Sequence, residues 1–338
     1  MFSSGITLRI VLLCGVCVVL FTAELLTGAS GIGVGDVWHG LLGDALNEQH
    51  NLVMREVRLP QACIAAVAGV ALALSGWLMQ TLFRNPLAGP SVLGISSGAS
   101  LGVAVLMLSA GSGLPWSTSA GGHAAVIVAA IAGAISVLML IMLVSQRLAD
   151  NTTLLVFGIM LGFFTSAIVS ALQFRASSDS VKSFALWGMG SYSEADMSEV
   201  VMLGGGIVLS GVIILFILKH LNLLLLGDDY AHNMGVPVKQ TRLLILLSVG
   251  IMVGMSTAFC GPVAFIGLVV PHIARLLMHT AEHARLLVPV ALGGAAASML
   301  ADLLSRVLHI PLNALVSALG APFIIYILVR GTKSRSII

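Results

Sequence analysis

The stretch Gly76-Trp77-Leu78-Met79-Gln80, followed by Arg84-Asn85-Pro86-Leu87-Ala88-Gly89-Pro90 and Gly94-Ile95-Ser96-Ser97-Gly98-Ala99, places Gly, Pro, Asn and Gln where an apolar run would otherwise continue. Inside a bilayer, backbone polar groups released from a helix are tolerated only where protein or a water-filled cavity covers them. The break therefore marks a route rather than a wall.

Outward from that break the chain is apolar. Of 338 residues, 58% are hydrophobic and 9% charged, and mean hydropathy is +1.07. A soluble domain carries about a quarter charged residues, so the composition predicts an all-α polytopic membrane protein. At roughly 20 residues per helical span the apolar stretches give about ten transmembrane helices. They fall near 6–27, 60–82, 91–110, 123–146, 153–174, 198–219, 241–260, 265–278, 285–303 and 312–330. The span at 265–278 is short for a full crossing. No soluble domain interrupts the pattern, so residues 1–338 read as a single transmembrane domain.

Lys and Arg are enriched in short cytoplasmic loops. With the N-terminus inside, the cytoplasmic ends hold Arg9, Arg84, Arg147, Lys219, Lys239, Arg242, Arg275, Arg285, Arg330, Lys333 and Arg335, and the opposite side holds Arg55, Arg58, Arg175, Lys182 and Arg306. This asymmetry and the even span count place both termini in the cytoplasm.

Cys14, Cys17, Cys63 and Cys260 all fall within predicted spans. The Cys14-x-x-Cys17 pair has no second Cys or His pair beside it, so small residues in a packed helix are favoured over a metal or redox site. The run Ile10 to Leu26 is long for a signal-peptide core and is read as a membrane anchor.

The longest polar connections are Thr27–Leu59, Ser109–Gly122, Arg175–Met197 and Lys219–Gln240. The chain contains no G-x-x-x-x-G-K-[ST] loop to cradle ATP phosphates. If ATP drives the protein, another subunit binds it. Within Lys219–Gln240, the Asp228-Asp229 pair ahead of Tyr230 to Met234 predicts a short helix with acids at the positive end of its dipole, stopped by Gly235 and Pro237. Such a helix on the cytoplasmic face suits docking onto a partner; a solvated loop is the alternative.

Further segments follow in order: Arg58-Leu59-Pro60, Gly69 to Gly76 with Ala71-Leu72-Ala73-Leu74-Ser75 inside it, Gln80 with Asn85-Pro86-Leu87-Ala88, Pro90 and Gly94, Gly227-Asp228-Asp229-Tyr230-Ala231 with Gly235-Val236, Gly261 to Arg275, and Ala301-Asp302 with Arg306. Together they resemble the permease subunits of the FecCD family, the type II ABC importers of ferric siderophores, haem and cobalamin. The resemblance covers about residues 55 to 330.

That resemblance implies a homodimer or a pair of related permeases, with the passage at the dimer interface and two ABC ATPase subunits beneath. It also implies a periplasmic or lipid-anchored substrate-binding protein on the outer face, in the inner membrane of a bacterium. No cofactor is expected on this chain, because ATP-Mg belongs to the partner ATPase; membrane lipid is expected around it and nucleic acid is not. Carried over by position, Gly227, Asp228, Asp229, Ala231, Met234, Gly235 and Val236 form the ATPase-coupling region. Arg55, Arg58 and Arg306 match basic residues that pair with acids on the binding protein, and such pairs guide encounter and register. Ordinary interfacial arginines are the alternative reading.

The turn Arg84–Pro90 has Pro86 and Pro90 to limit helix formation and Asn85 to bond freed backbone groups. By resemblance, Asn85, Pro86 and Leu87 contribute to the inner gate, opposed by Asn151, Thr152 and Thr153. Gln80 either faces the passage or hydrogen-bonds a neighbouring helix. The Gly261–Gly267 run is expected to break the chain between the seventh and eighth spans, and Pro271-His272 to break the eighth.

Glu24 and Asp302 are the acids nearest the membrane interior, both toward outer span ends. An ion-coupled secondary transporter would place ionisable groups near the midplane, so the pattern counts against one. No clustered nucleophile, base or ligand set marks a membrane enzyme. One departure from the family pattern stands out. Near the C-terminus the family has Pro-x-Glu-x-Pro-x-Gly, and here Pro311 to Ser317 carries Asn313 in place of the acid. Small residues lining a wide passage record little of the cargo, which the resemblance leaves as an iron chelate, with cobalamin as the alternative.

Overall fold

The computed structural model describes residues 4–27, 48–109, 120–147 and 151–335, and these are helices and connecting turns. In chain order, α1 (Ser4–Leu26) is followed by α2 (Glu48–Val53), which runs through a π-helical turn (Met54–Arg58) into α3 (Leu59–Leu82). A 3-10 turn (Pro90–Leu93) precedes α4 (Ile95–Ser109), and then come α5 (Ala120–Arg147), α6 (Asn151–Arg175), α7 (Ser178–Gly188) and α8 (Met197–Leu224). The chain continues through α9 (Asp228–Asn233), α10 (Val238–Cys260), α11 (Ile266–Met278), α12 (His283–Leu308) and α13 (Leu312–Arg335).

Among the described residues, seven helical stretches are long and apolar enough to cross a membrane, and α4, α11 and Leu312–Ile325 of α13 are shorter apolar helices. Each predicted span thus has its helix. Two start late, because Pro90 and Gly94 delay α4 to Ile95 and the extended run after Gly261 delays α11 to Ile266. Most of the Thr27–Leu59 and Ser109–Gly122 connections lies outside the described residues.

α3 and α10 form the centre of the bundle, with 78% and 72% of their apolar windows buried, whereas α1 has 6% buried and lies at the rim. Lipid tails are as apolar as leucine, so helices in a bilayer associate through close packing rather than a hydrophobic drive. Small residues provide it here. A methyl group on Gly69 would overlap the Gly294 carbonyl of α12, and one on Gly76 would overlap the Gly267 carbonyl of α11. Gly98, Gly102 and Gly133 do the same for the α4–α5 crossing.

Two expectations are corrected. The Arg175–Met197 connection contains the helix α7, capped by Ser177 Oγ, which accepts from the Ser180 amide. Val181, Phe184 and Trp187 recur at helical spacing on that helix, and the Phe184 and Trp187 rings stack at 6.0 Å. Pro271 does not break α11, which runs through it. Proline removes the hydrogen bond to the carbonyl four residues earlier, which here is that of Gly267, and this carbonyl lies against Gly76 of α3. The break lies earlier, at Gly261 (φ 71) and Phe265 (φ 61).

Candidate functional site

One end of the bundle gathers the predicted coupling and gate residues. α9 packs between the end of α8 and the start of α10. Gly227, at φ 120, lets the chain turn into it, and Gly235, at φ 85, lets it leave. The helix and its exit turn are anchored on one side: Ala231 and, past the helix, Val236 are buried, and the Val236 amide donates to the Ala231 carbonyl at 3.0 Å. Asp228 pairs with Arg242 of α10 at 3.5 Å, and Arg242 Nη1 also reaches the Ser145 carbonyl of α5 at 3.5 Å. Asp229, Tyr230 and Met234 are exposed on the other side. The two aspartates sit in the first turn with Gly227 as the cap, one position later than an acidic cap would place them.

The turn after α3 lies beside this helix, because Arg84 Nη1 is the nearest group to a methyl placed on Gly227, at 3.3 Å. Asn85 organises the turn. Its Oδ1 accepts from the Leu87 amide at 2.9 Å, and its carbonyl accepts from the Ala88 amide at 3.1 Å. Pro86 is exposed and Leu87 partly so. The following Gly94 meets α6 at Gly158 and Gly162, further along that helix than Asn151 to Thr153. Thr152 and Thr153 are exposed at the start of α6, and the side chain of Asn151 lies outside the described residues.

Gln80 is buried, and its amide is used at both ends: Nε2 donates to the Leu268 carbonyl at 3.0 Å and Oε1 accepts from Arg275 Nη2 at 2.7 Å. Of its two sequence readings, this arrangement is helix packing. A second polar relay, unmarked by any motif, lies one residue on. Thr81 Oγ1 is 2.9 Å from His283 Nε2, and the His283 Nδ1–H donates at 2.7 Å to Asn222 Oδ1, which also accepts the His283 amide at 3.0 Å. Through His283 of α12 this relay ties the end of α3, ahead of the Arg84–Pro90 turn, to the end of α8, ahead of α9.

The opposite end carries the predicted docking arginines, with different exposures. Arg55, in the π-helical turn, is exposed. Arg58 is buried, its Nη1 donating to the Leu25 carbonyl at 2.6 Å and the Leu26 carbonyl at 3.3 Å, so it closes the end of α1. Arg306 is paired with Glu24 and with Asp302 at 3.0 Å, and donates to the Thr27 carbonyl at 3.1 Å. Gln61 Nε2 donates to Asp302 at 3.1 Å. Two of the three guanidinium groups thus bind α1, α3 and α12 together. A further pair, His123 Nε2 with Glu199 at 2.9 Å, joins α5 to α8 beside a cavity of ≈ 170 Å3 lined by Trp187, Glu194 and Cys260.

Asn313 has a defined place. Its Oδ1 accepts from the Ala264 amide at 3.2 Å and its own amide donates to the Met189 carbonyl at 3.0 Å. It therefore supplies the acceptor that a glutamate's carboxylate could supply. What the arrangement offers is a short helix, partly exposed, beside a glycine- and proline-rich turn.

The profile of the FecCD transport family matches residues 16–330. The hemin transport system permease protein HmuU of Yersinia pestis is 36% identical over 324 residues, which is 94% of each chain. The vitamin B12 import system permease protein BtuC of Salmonella typhi is 34% identical over 298 residues, covering 86% of this chain and 88% of that one. A solved inward-facing conformation of a metal-chelate type ABC transporter superposes with a TM-score of 0.83 at 27% identity, covering 95% of this chain and 99% of that one.

Proposed function

The chain belongs to the FecCD transport family and is a permease of an ABC importer in a bacterial inner membrane; from that premise we propose that it moves an iron chelate, a ferric siderophore or haem, inward by alternating access. Hydrolysis is supplied by two separate ABC ATPase subunits, which hold the ATP-Mg. A periplasmic or lipid-anchored binding protein delivers the cargo, and two copies of the permease enclose the passage. Both termini and the 219–240 segment lie in the cytoplasm. The observation that carries the ATPase-driven reading is α9 with the turn that follows it, buried at Ala231 and Val236 and exposed at Asp229, Tyr230 and Met234.

Such a helix works as a lever. Its buried side transmits force to α8 and α10, and its exposed side is free to enter a groove on the ATPase. The Asp228–Arg242 pair and the neighbouring Arg84 carry displacement of α9 to the turn around Asn85, Pro86 and Leu87, which serves as the inner gate with Asn151, Thr152 and Thr153 opposite. Docking of the binding protein falls first to exposed Arg55, while Arg58 and Arg306 hold the docking end rigid. Cobalamin is the second reading for the cargo, supported by the relative at 34% identity against 36% for the hemin permease.

The test is uptake and ATP hydrolysis by the permease reconstituted with its ATPase and binding protein. Asp229→Lys and Gly235→Arg together should leave hydrolysis running while lowering uptake about tenfold or more, the scale of losing an interface hot spot. Normal ATP-driven uptake in that variant would remove α9 from the coupling role. Uptake by the permease alone under an ion gradient would overturn the importer mechanism.

A further inference from the structure

At the same end as α9, but on the rim of the bundle, a cavity of ≈ 320 Å3 opens between the first turns of α1 and the α11–α12 connection. Arg9, His279, Thr280 and Arg285 line it, with Gly5 and Ile6 as its apolar side. None of these residues takes part in the coupling helix, the gate turn or the docking end.

Hydrogen bonds order the wall of the cavity. Arg9 Nη1 donates to the Leu277 carbonyl at 2.6 Å and lies 3.2 Å from His279 Nδ1, so the guanidinium is fixed at the cavity wall. His279 ends α11 with φ 50, its amide bonded to the Arg275 carbonyl at 2.9 Å. Thr280 Oγ1 accepts from the Glu282 amide at 3.1 Å. Arg285 uses Nε toward Glu282 at 2.7 Å, and both side chains of that pair are 44% exposed. A guanidinium carries five N–H donors in a planar fork, so both arginines keep donors for an anion. Two guanidinium groups against one carboxylate leave the cavity positive.

We propose that this cavity binds the phosphate of an anionic phospholipid headgroup. A free phosphate has the same recognition chemistry, and the surroundings decide between them. Leu8 and Leu12 on α1, and Leu276 and Leu277 on α11, are all exposed and lie within three residues of Arg9 or His279 in the chain. Only 6% of the apolar window of α1 is fully buried, and its outer face carries exposed side chains along its length. A charged pocket that opens onto an apolar ridge at a membrane boundary fits an amphiphile, with the head in the pocket and acyl chains along the ridge. Basic pockets between membrane helices on the cytoplasmic side bind lipid headgroups in this way. The bound lipid would add a link between the first turns of α1 and the α11–α12 connection.

The experiment is native mass spectrometry of the full chain in mild detergent, titrated with dioleoylphosphatidylglycerol or dioleoylphosphatidylcholine, with inorganic phosphate as competitor. Saturable phosphatidylglycerol binding that weakens about tenfold in Arg9→Gln/Arg285→Gln, each basic residue near the surface contributing its share, is the expected result. Lys219→Gln/Lys239→Gln, which removes two exposed charges elsewhere on that end, should leave binding unchanged. Arg285→Glu alone alters a half-exposed position and should also weaken binding, which keeps the test valid if the double variant does not fold. Equal phosphatidylglycerol binding in wild type and both pocket variants would overturn the site. Displacement of the lipid by inorganic phosphate at similar concentration, or equal retention of phosphatidylcholine, would overturn the lipid assignment.

Discussion

Gln80 of α3 accepts a hydrogen bond from Arg275 of α11 at 2.7 Å, across 195 residues of sequence, while its amide nitrogen donates to the Leu268 carbonyl of the same helix. The pair holds the half-length helix α11 against the centre of the bundle. It stands where the sequence break begins, so the residues before the Arg84–Pro90 turn form a fixed abutment.

Replacing that side chain by an apolar one of similar size leaves a guanidinium and a carbonyl without their partner. Gln80→Leu should destabilise the purified protein by about 1.5–3 kcal/mol, the range for hydrogen bonds to charged groups. Thermal unfolding in detergent measures it. A melting temperature equal to wild type would return Gln80 to the passage.

The α3–α11 crossing rests on contact between Gly76 and the Gly267 carbonyl, a backbone atom with no side-chain freedom to yield. Gly76→Val should therefore separate the helices and cost about 1–3 kcal/mol or more through overpacking. Gly188→Ala, where a methyl meets nothing within 4 Å, is the matched control. Yield of monodisperse protein from membranes reports the difference, and equal yields would contradict the crossing.

Asn313 should tolerate an acid and not an alkyl group. Asn313→Asp keeps an oxygen for the Ala264 amide, whereas Asn313→Leu leaves that amide without an acceptor, at a cost of about 1–3 kcal/mol. If both variants melt alike, the acceptor role fails.

Asp196 caps α8, and its carboxyl lies below the ordinary carboxylate range because the Ser198 hydroxyl and the Glu199 amide donate to the charged form. A depressed folded-state pKa gives stability that is present above the unfolded value, 3.8 for Asp, and is lost as pH falls through the lower folded value. Asp196→Asn, itself a good cap, should flatten the acid limb of a melting-temperature profile taken from about pH 5 to pH 3. An unchanged limb would rule out this contribution.

Much of the architecture was legible because its causes are local. Apolar runs long enough to span, interrupted by Pro90, Gly94 and Gly261, locate the helices, though not the late starts at Ile95 and Ile266. Asp228-Asp229 between Gly227 and Gly235 signals the short helix without any knowledge of its neighbours. The amphipathic α7 was hidden because Ser, Asp and Lys dilute its apolar positions below any span threshold, although Ser177 ahead of Ser180 was a readable cap. Pro271 misled because proline's effect depends on whether the freed carbonyl finds a place, and Gly76 gives it one.

The sequence by itself determined a polytopic helical membrane protein, the order of its helices, its family resemblance and the position of the short polar helix between α8 and α10, since hydropathy, turn residues and caps act within a few residues of each other. Only the tertiary structure decided what the polar side chains do. Arg55 and Arg58 look alike in sequence, yet one is exposed and the other closes α1 through the Leu25 carbonyl. Arg306 meets Glu24, and His123 meets Glu199, because helices distant in the chain bring them together. Charge is written in the sequence; a polar group buried in an apolar bundle must find its partner in space, and only packing says which.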